Sequence, residues 1–251
     1  GPAKNAGGLK WTIFQWAVGV GLQVSKEVQA GRKPTGFLEL KYDIATRLVF
    51  SKIHARFGGR LKYFVSGSAP LARELAEFFH GAGINILEGY GLTESSAATF
   101  VNRPKAYRLG TVGLPMNGTE VKIADDGEIL LKGPGIMRGY HNLPEQTAEA
   151  LDADGWFHTG DIGQVEDGGF LRITDRKKEL IKTSGGKYVA PTSLEGRLKA
   201  FSPIIGQVLV HGNNRNFCTA LITLDPDLTR VWATANGVTE VLVPCGANGF
   251  A

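Results

Sequence analysis

Residues 61–94 read LKYFVSGSAPLARELAEFFHGAGINILEGYGLTE, and three textures follow one another within them. Residues 61–65 are apolar and β-branched or aromatic enough for a short buried strand, which the Ser66-Gly67-Ser68-Ala69-Pro70 turn ends. Over 71–80 the apolar Leu71, Leu75, Phe78 and Phe79 recur at helical spacing with Arg73, Glu74 and Glu77 opposite, and Gly81 and Gly83 stop the pattern. Residues 84–87 then predict a second strand. Strand, helix and strand with short connections make a parallel unit, which binds ligands beyond the carboxyl ends of its strands. The loops after both strands are therefore the first candidates for a site.

Upstream, 11–28 predicts a helix packed on the core. Residues 43–57 predict another, with Ile44, Leu48, Ile53 and Phe57 on its buried face, ended by Gly58-Gly59. Downstream the period shortens. Residues 120–123 and 128–132 flank Asp125-Asp126-Gly127, a strong hairpin signal, and 162–166 and 170–174 repeat the arrangement around Asp167-Gly168-Gly169. Beyond Asp175 an α+β segment is expected: a strand at 180–182, a glycine loop, a helix from Leu194 opened by a Thr192–Glu195 capping box, and a hairpin of 205–210 with 219–224. The last fifteen residues read as irregular.

Composition narrows the class. Glycine supplies 34 of 251 residues, about twice the ~7% of average proteins, yet without a collagen period and beside 43% apolar residues. Disorder and low complexity do not fit. Lys and Arg number 28 against 24 Asp and Glu, a formal charge of +4, which suits an anionic ligand but is too mild for a nucleic-acid arm. Cys218 and Cys245 lack metal-ligand spacing, so a reducing, cytoplasmic setting is expected. No apolar run reaches the ~18 residues of a transmembrane helix. Peripheral contact with a membrane surface stays open.

Glu88-Gly89-Tyr90-Gly91-Leu92-Thr93-Glu94 reads as a tight glycine turn that offers an aromatic face, a hydroxyl and a carboxylate together. Thr93 can donate to a phosphate oxygen, and Glu94 can hold a hard cation such as Mg²⁺. A plain structural corner with a helix cap would use the same residues. Asp161, in Trp156-Phe157-His158-Thr159-Gly160-Asp161, is placed on a glycine turn entering a strand, where its carboxylate can accept both hydroxyls of a ribose. Five cations fall between Arg176 and Lys187, and a strand at 180–182 would put Lys178 and Lys182 on one face, toward one anion. A solvated charge run is the alternative. A serine hydrolase using Ser66 or Ser68 with His158 and Asp161 is a further option, although neither serine sits in a Gly-x-Ser-x-Gly elbow.

In order along the chain stand Ser-Gly-Ser-Ala-Pro (66–70), Gly-Tyr-Gly-Leu-Thr-Glu (89–94), Gly-Glu-Ile-Leu-Leu-Lys-Gly-Pro-Gly-Ile-Met-Arg-Gly-Tyr (127–140), Trp-Phe-His-Thr-Gly-Asp (156–161) and Asp-Arg-Lys-Lys-Glu-Leu-Ile-Lys (175–182). This set resembles the adenylate-forming (AMP-binding) enzymes. The segments 48–59 and 183–191 look most like the long-chain fatty acid CoA ligase branch. The resemblance implies an α/β and α+β fold: 1–174 as the carboxyl-side part of a large AMP-binding domain, and 175–251 as a truncated small domain. It implies ATP or AMP, Mg²⁺ and coenzyme A as ligands and a fatty acid as substrate, with no nucleic-acid partner and no oligomeric state specified.

By the same resemblance Ser68, Ala69 and Pro70 line an adenine pocket, Tyr90 stacks on the base, and Glu88, Gly89, Gly91 and Leu92 lie beside it. Thr93 holds phosphate, Glu94 binds Mg²⁺, Asp161 takes the ribose and Arg176 touches ribose or phosphate. Lys178 and Lys182 lie near the nucleotide, Asp175 is the hinge, and Ser184, Gly185 and Gly186 border the path of the CoA thiol. Two departures stand out. The family's Ser/Thr/Gly-rich phosphate loop is absent; residues 181–188 do not replace it, because Ile181 and Tyr188 break a Walker pattern. Lys199 is the last lysine, so the small domain's terminal catalytic lysine is missing as well. The expectation is a fragment that is inactive alone.

Overall fold

The computed structural model describes residues 8–238, and the side chain of Ser193 lies outside that description. Two compact units are present, Gly1–Ile173 and Thr174–Ala251.

The first unit opens with helix α1 (Gly8–Gln29), then α2 (Phe37–Ala45), which continues through a π-helical turn (Thr46–Phe50) into α3 (Ser51–Arg56). Ala17, Val20, Ala45, Phe50 and Ala82 form the core beneath them, with Tyr42, Val49 and Ile53 packed around it. Of the stripe expected over 43–57, which contains the π turn, only Ile53 packs on this core. Ala45 and Phe50 face inward, while Ile44, Leu48 and Phe57 are exposed.

Strand β1 (Tyr63–Ser66) leads to α4 (Arg73–Gly81) and β2 (Asn85–Leu92), and β1 pairs with β2 in parallel. The expected strand–helix–strand unit is therefore present, with three corrections. β1 is an edge strand whose Val65 is 70% exposed, not a buried one. Leu75 points to solvent and Ala76 takes the buried position. Gly81 is still helical, the last residue of α4, and sits in a close crossing with α1, since a Cβ on Gly81 would stand 2.6 Å from the Gly21 carbonyl carbon. The break is left to Gly83, at φ 80°.

β2 turns through a 3₁₀ segment (Thr93–Ser95) into β3 (Ala97–Val101), which pairs antiparallel with β2 and with β4 (Leu114–Pro115). A second sheet follows the order β5 (Glu120–Ile123), β6 (Glu128–Lys132), β7 (Phe157–Val165), β8 (Leu171–Arg176), with α5 (Pro144–Ala150) between β6 and β7. The 120–132 hairpin has the expected bounds. β7 begins five residues earlier than its expected start at 162. Phe100, Ile129, Leu131 and Leu171 bury the space between the two sheets, with Tyr90 and Leu92 at its margin.

In the second unit β9 (Ile181–Lys182) pairs with β10 (Tyr188–Val189), α6 (Pro191–Phe201) packs on β11 (Ile205–His211), and β11 pairs antiparallel with β12 (Thr219–Leu224), as the hairpin reading expected. α7 (Pro226–Ala235) follows, its first turn capped by the Asp225 carboxylate, which accepts from Leu228 N at 2.8 Å. The capping box at 192–195 is not formed. Pro191 already opens α6, Thr192 donates its hydroxyl to Glu179, and Glu195 accepts from Val210 N at 2.8 Å. Of the irregular tail, 239–251, Cys245 included, lies outside the described residues.

Candidate functional site

The segment 88–94 is not a tight turn. Glu88 to Leu92 finish β2, because β3 supplies an antiparallel partner for them, with a register shift between Tyr90 and Gly91. Tyr90 packs against Phe100, ring centroids 6.4 Å apart, and its hydroxyl donates to Asp161 Oδ2 at 2.5 Å. Thr93 and Glu94 follow on the 3₁₀ turn. Thr93 is exposed and Glu94 half-buried, its Oε1 accepting from the Tyr140 hydroxyl at 3.0 Å and its carbonyl from Met137 N at 2.7 Å. Ser95, fully buried beneath the turn, accepts from Leu92 N at 3.0 Å and from the Thr99 hydroxyl at 2.7 Å.

Asp161 also sits differently from the expectation. It lies within β7, 3% exposed, at an irregularity in the ladder rather than on an entering turn. Glu128 pairs with Ile162 and Leu130 with His158, so two steps along β6 correspond to four along β7. The surplus bulges out at Thr159, Gly160 and Asp161, with Gly160 at φ 72°, where a side chain would be strained. Side chains satisfy the backbone that the bulge displaces. The Thr159 hydroxyl donates to Ile129 O at 2.7 Å and accepts from Asp161 N at 3.1 Å, and Glu128 Oε1 accepts from Gly160 N at 2.8 Å. The other Glu128 oxygen lies 3.3 Å from His158 Nδ1, and His158 Nε2 is 3.9 Å from Asp152 Oδ2. His158 thus engages two carboxylates and no serine, which removes the arrangement a serine hydrolase would need.

Ser68, Ala69 and Pro70 are exposed on the loop after β1, Ser68 at φ 68°. Ser66 is in register with Glu88, and a Cβ on Gly67 would stand 3.4 Å from Gly89 O, so this loop runs beside the Glu88–Tyr90 end of β2. Burial pushes the Glu88 carboxyl above the usual carboxylate range, opposed by the Gly110 N–H, the Arg172 guanidinium and the Leu71 N–H. The first unit therefore gathers the loop of Ser68, the strand of Glu88 to Leu92 and Asp161, with Thr93 and Glu94 following directly.

Within the second unit, Asp175 is buried. Its Oδ1 accepts from Arg176 N at 2.7 Å, its Oδ2 has no hydrogen-bond partner among the described residues, and burial raises its carboxyl pKa. Arg176 is exposed at the end of β8. Lys178 lies in the turn over 177–179, outside the two-residue strand that carries Lys182, so the alternation argument for a shared face does not apply. Lys182 instead stands over the Tyr188 ring, 5.5 Å from its centroid. Ser184 is tied to the loop after β11 by its N–H to Arg215 O at 2.9 Å and its hydroxyl to Asn216 at 2.5 Å, while Gly185 and Gly186 stay exposed.

Glu128, Thr159 and Tyr140 are the site neighbours that motif reading passed over. A faint signal existed for Glu128, a carboxylate opening an otherwise apolar Ile-Leu-Leu strand. Among the described residues no group of three or more His, Cys, Asp or Glu could hold a metal ion, and no helix is long and apolar enough to cross a membrane.

The family profile described as "AMP-binding enzyme" matches residues 22–141, and that of the "AMP-binding enzyme C-terminal domain" matches 178–241. The long-chain-fatty-acid–CoA ligase FadD15 of Mycobacterium bovis is 44% identical over 94% of this chain and 39% of its own length. Long chain acyl-CoA synthetase 7, peroxisomal, of Arabidopsis thaliana is 34% identical over 94% of this chain and 34% of its own. Among solved structures, ATP-bound MatB from Rhodopseudomonas palustris superposes with a TM-score of 0.60 at 29% identity, covering 75% of this chain and 41% of that one. O-succinylbenzoate coenzyme A synthetase of Bacillus subtilis, in complex with ATP and a magnesium ion, gives 0.58 at 26% identity, over 71% and 42%. The chain spans about two fifths of the length of the first of these curated relatives.

Proposed function

The chain belongs to the AMP-binding enzyme family, and from that premise we propose that it is part of a ligase that activates a long-chain fatty acid as acyl-AMP and passes the acyl group to coenzyme A. The observation that carries the reading is the Tyr90–Asp161 contact. It joins the 89–94 and 156–161 family motifs of the first unit, through residues 71 apart in sequence, into one polar corner at the edge of an apolar core. The fatty substrate is preferred because relatives at 34–44% identity carry long-chain names, whereas aryl-acid ligases stand at 26%.

In the first half-reaction a carboxylate oxygen bonds to the α-phosphorus of ATP, and the bond from that phosphorus to the bridging oxygen breaks, releasing pyrophosphate. In the second, the CoA sulfur, its proton lost, bonds to the acyl carbon and AMP leaves with the mixed-anhydride oxygen. Asp161 accepts from the ribose hydroxyls, with Tyr90 keeping its carboxylate in place. Tyr90 offers its ring to the base, Ser68 to Pro70 and Glu88 to Leu92 wall the base, and Thr93 donates to phosphate. Arg176, Lys178 and Lys182 supply positive charge as the phosphates gain negative charge. Asp175 serves as hinge, and Ser184 to Gly186 border the thiol path. Glu94 is a half-buried carboxylate whose Oε1 accepts from the Tyr140 hydroxyl, and a single carboxylate of this kind fits Mg²⁺, which binds through one or two carboxylates plus phosphate oxygens. Glu94 would hold it, and the ion would neutralise phosphate charge.

Saturation-transfer NMR of this chain with AMP tests the site: the adenine and ribose protons are expected to receive saturation, and Asp161→Asn to lose it. Absence of any transfer in the wild type would sink the reading. Assayed alone for ATP–pyrophosphate exchange with palmitate, these 251 residues are expected to stay at background, since they hold neither a Ser/Thr/Gly-rich phosphate loop nor a lysine after Lys199. Robust exchange would show both to be dispensable.

A further inference from the structure

The bulge in β7 poses a mechanical question. Asp161 owes its direction to two surplus residues in the ladder, and a bulge whose backbone groups are left unpaired inside a protein would relax or collapse. Glu128 is 4% exposed and on the neighbouring strand, with one oxygen on the N–H of Gly160, 32 residues away in sequence, at 2.8 Å and the other 3.3 Å from His158 Nδ1. Both of these partners belong to the segment that Asp161 closes. A carboxylate is costly to bury unless it is hydrogen-bonded, and an ionised acceptor makes a stronger bond to a backbone N–H than a neutral one.

We infer that Glu128 is a positioning residue for nucleotide recognition. It pins Gly160 and His158 so that the bulge presents the Asp161 carboxylate to the ribose hydroxyls, and it touches no ligand itself. This rests on the nucleotide reading above. What it adds is a split between two ligands. A residue that acts only through Asp161 affects a ribose that has hydroxyls and leaves one without them untouched, whereas a merely structural residue affects both alike.

The experiment titrates AMP and 2′,3′-dideoxy-AMP against wild type, Glu128→Ala and Glu128→Gln by ligand-detected NMR, with circular dichroism to confirm folding. For Glu128→Ala the AMP dissociation constant is expected to rise about tenfold, the loss of roughly one well-placed hydrogen bond, with less than about a twofold change for the dideoxy ligand. Glu128→Gln, whose amide oxygen still accepts from Gly160 N, should stay within about twofold for both. Should Glu128→Ala fail to fold, Glu128→Met keeps the volume without the acceptor and carries the same expectation. Equal weakening of both ligands, or no weakening of either, overturns the inference while leaving the nucleotide reading intact. Failure of the wild type to bind AMP overturns the reading and the inference with it.

Discussion

Glu88 holds a carboxylate where burial disfavours its charge, and the nearby N–H groups and Arg172 offset this only in part. A carboxyl raised in the folded state contributes fully below its unfolded pKa of about 4.5, and that contribution is lost as pH rises through the folded value. Glu88→Gln is therefore expected to melt above wild type at pH 7, with the difference vanishing below about pH 4.5. His80 works in the opposite direction. Its ring lies between Ser25 Oγ at 2.8 Å and the Tyr107 hydroxyl at 2.7 Å, and burial lowers its pKa. A depressed imidazole contributes above the unfolded value of about 6.5 and loses that contribution as pH falls through the folded one. Thermal melts should fall as the pH drops below about 6.5, and His80→Asn should flatten that part of the profile. Tyr90→Phe removes a donor from a carboxylate that is almost fully buried, which is expected to cost about 1–3 kcal/mol in denaturant unfolding and to weaken AMP binding.

At the scale of elements, the crossing of α1 and α4 depends on two glycines whose backbones touch. A methyl on either would meet peptide atoms of the other within 3 Å, so Gly81→Ala should destabilise the first unit by about 1–3 kcal/mol. A denaturation midpoint unchanged by the substitution would show that the helices can separate freely. The π turn makes a second prediction. Phe50→Ala, at the inner side, is expected to cost about 3–5 kcal/mol, whereas Ile44→Ser and Leu48→Ser should stay within about 0.5 kcal/mol. A plain 3.6-residue period over 43–57 selects the opposite pair of faces. That stretch was legible as helix, since its composition and its Gly58-Gly59 stop are local signals. The direction of its faces was not, because Ala17 and Val20 of α1 and Ala82, far away in sequence, decide which side of the stretch is covered.

On the scale of the whole molecule, each unit has a core of its own: Phe100 with Ile129, Leu131 and Leu171 in the first, and Ile181 with Val208 and Val210 in the second. Phe100→Ala should speed amide exchange through β2, β3, β6 and β7 while sparing β11 and α6, and Ile181→Ala should do the reverse. Uniform acceleration by either would mean that the units unfold together. The parallel β1–β2 unit, the 120–132 hairpin, the β11–β12 hairpin and the family motifs all stood in the amino-acid order itself, since alternation, helical spacing and Asp-Gly turns act between neighbours. Tertiary structure decided that 88–92 is strand rather than turn, that Asp161 sits in a bulge against Tyr90, and that Glu128 holds the bulge. Each of these depends on a partner that the fold brings near from far along the chain. A residue's local pattern states which way it would face, but only the strand that arrives beside it decides which backbone groups are paired and where a side chain can point.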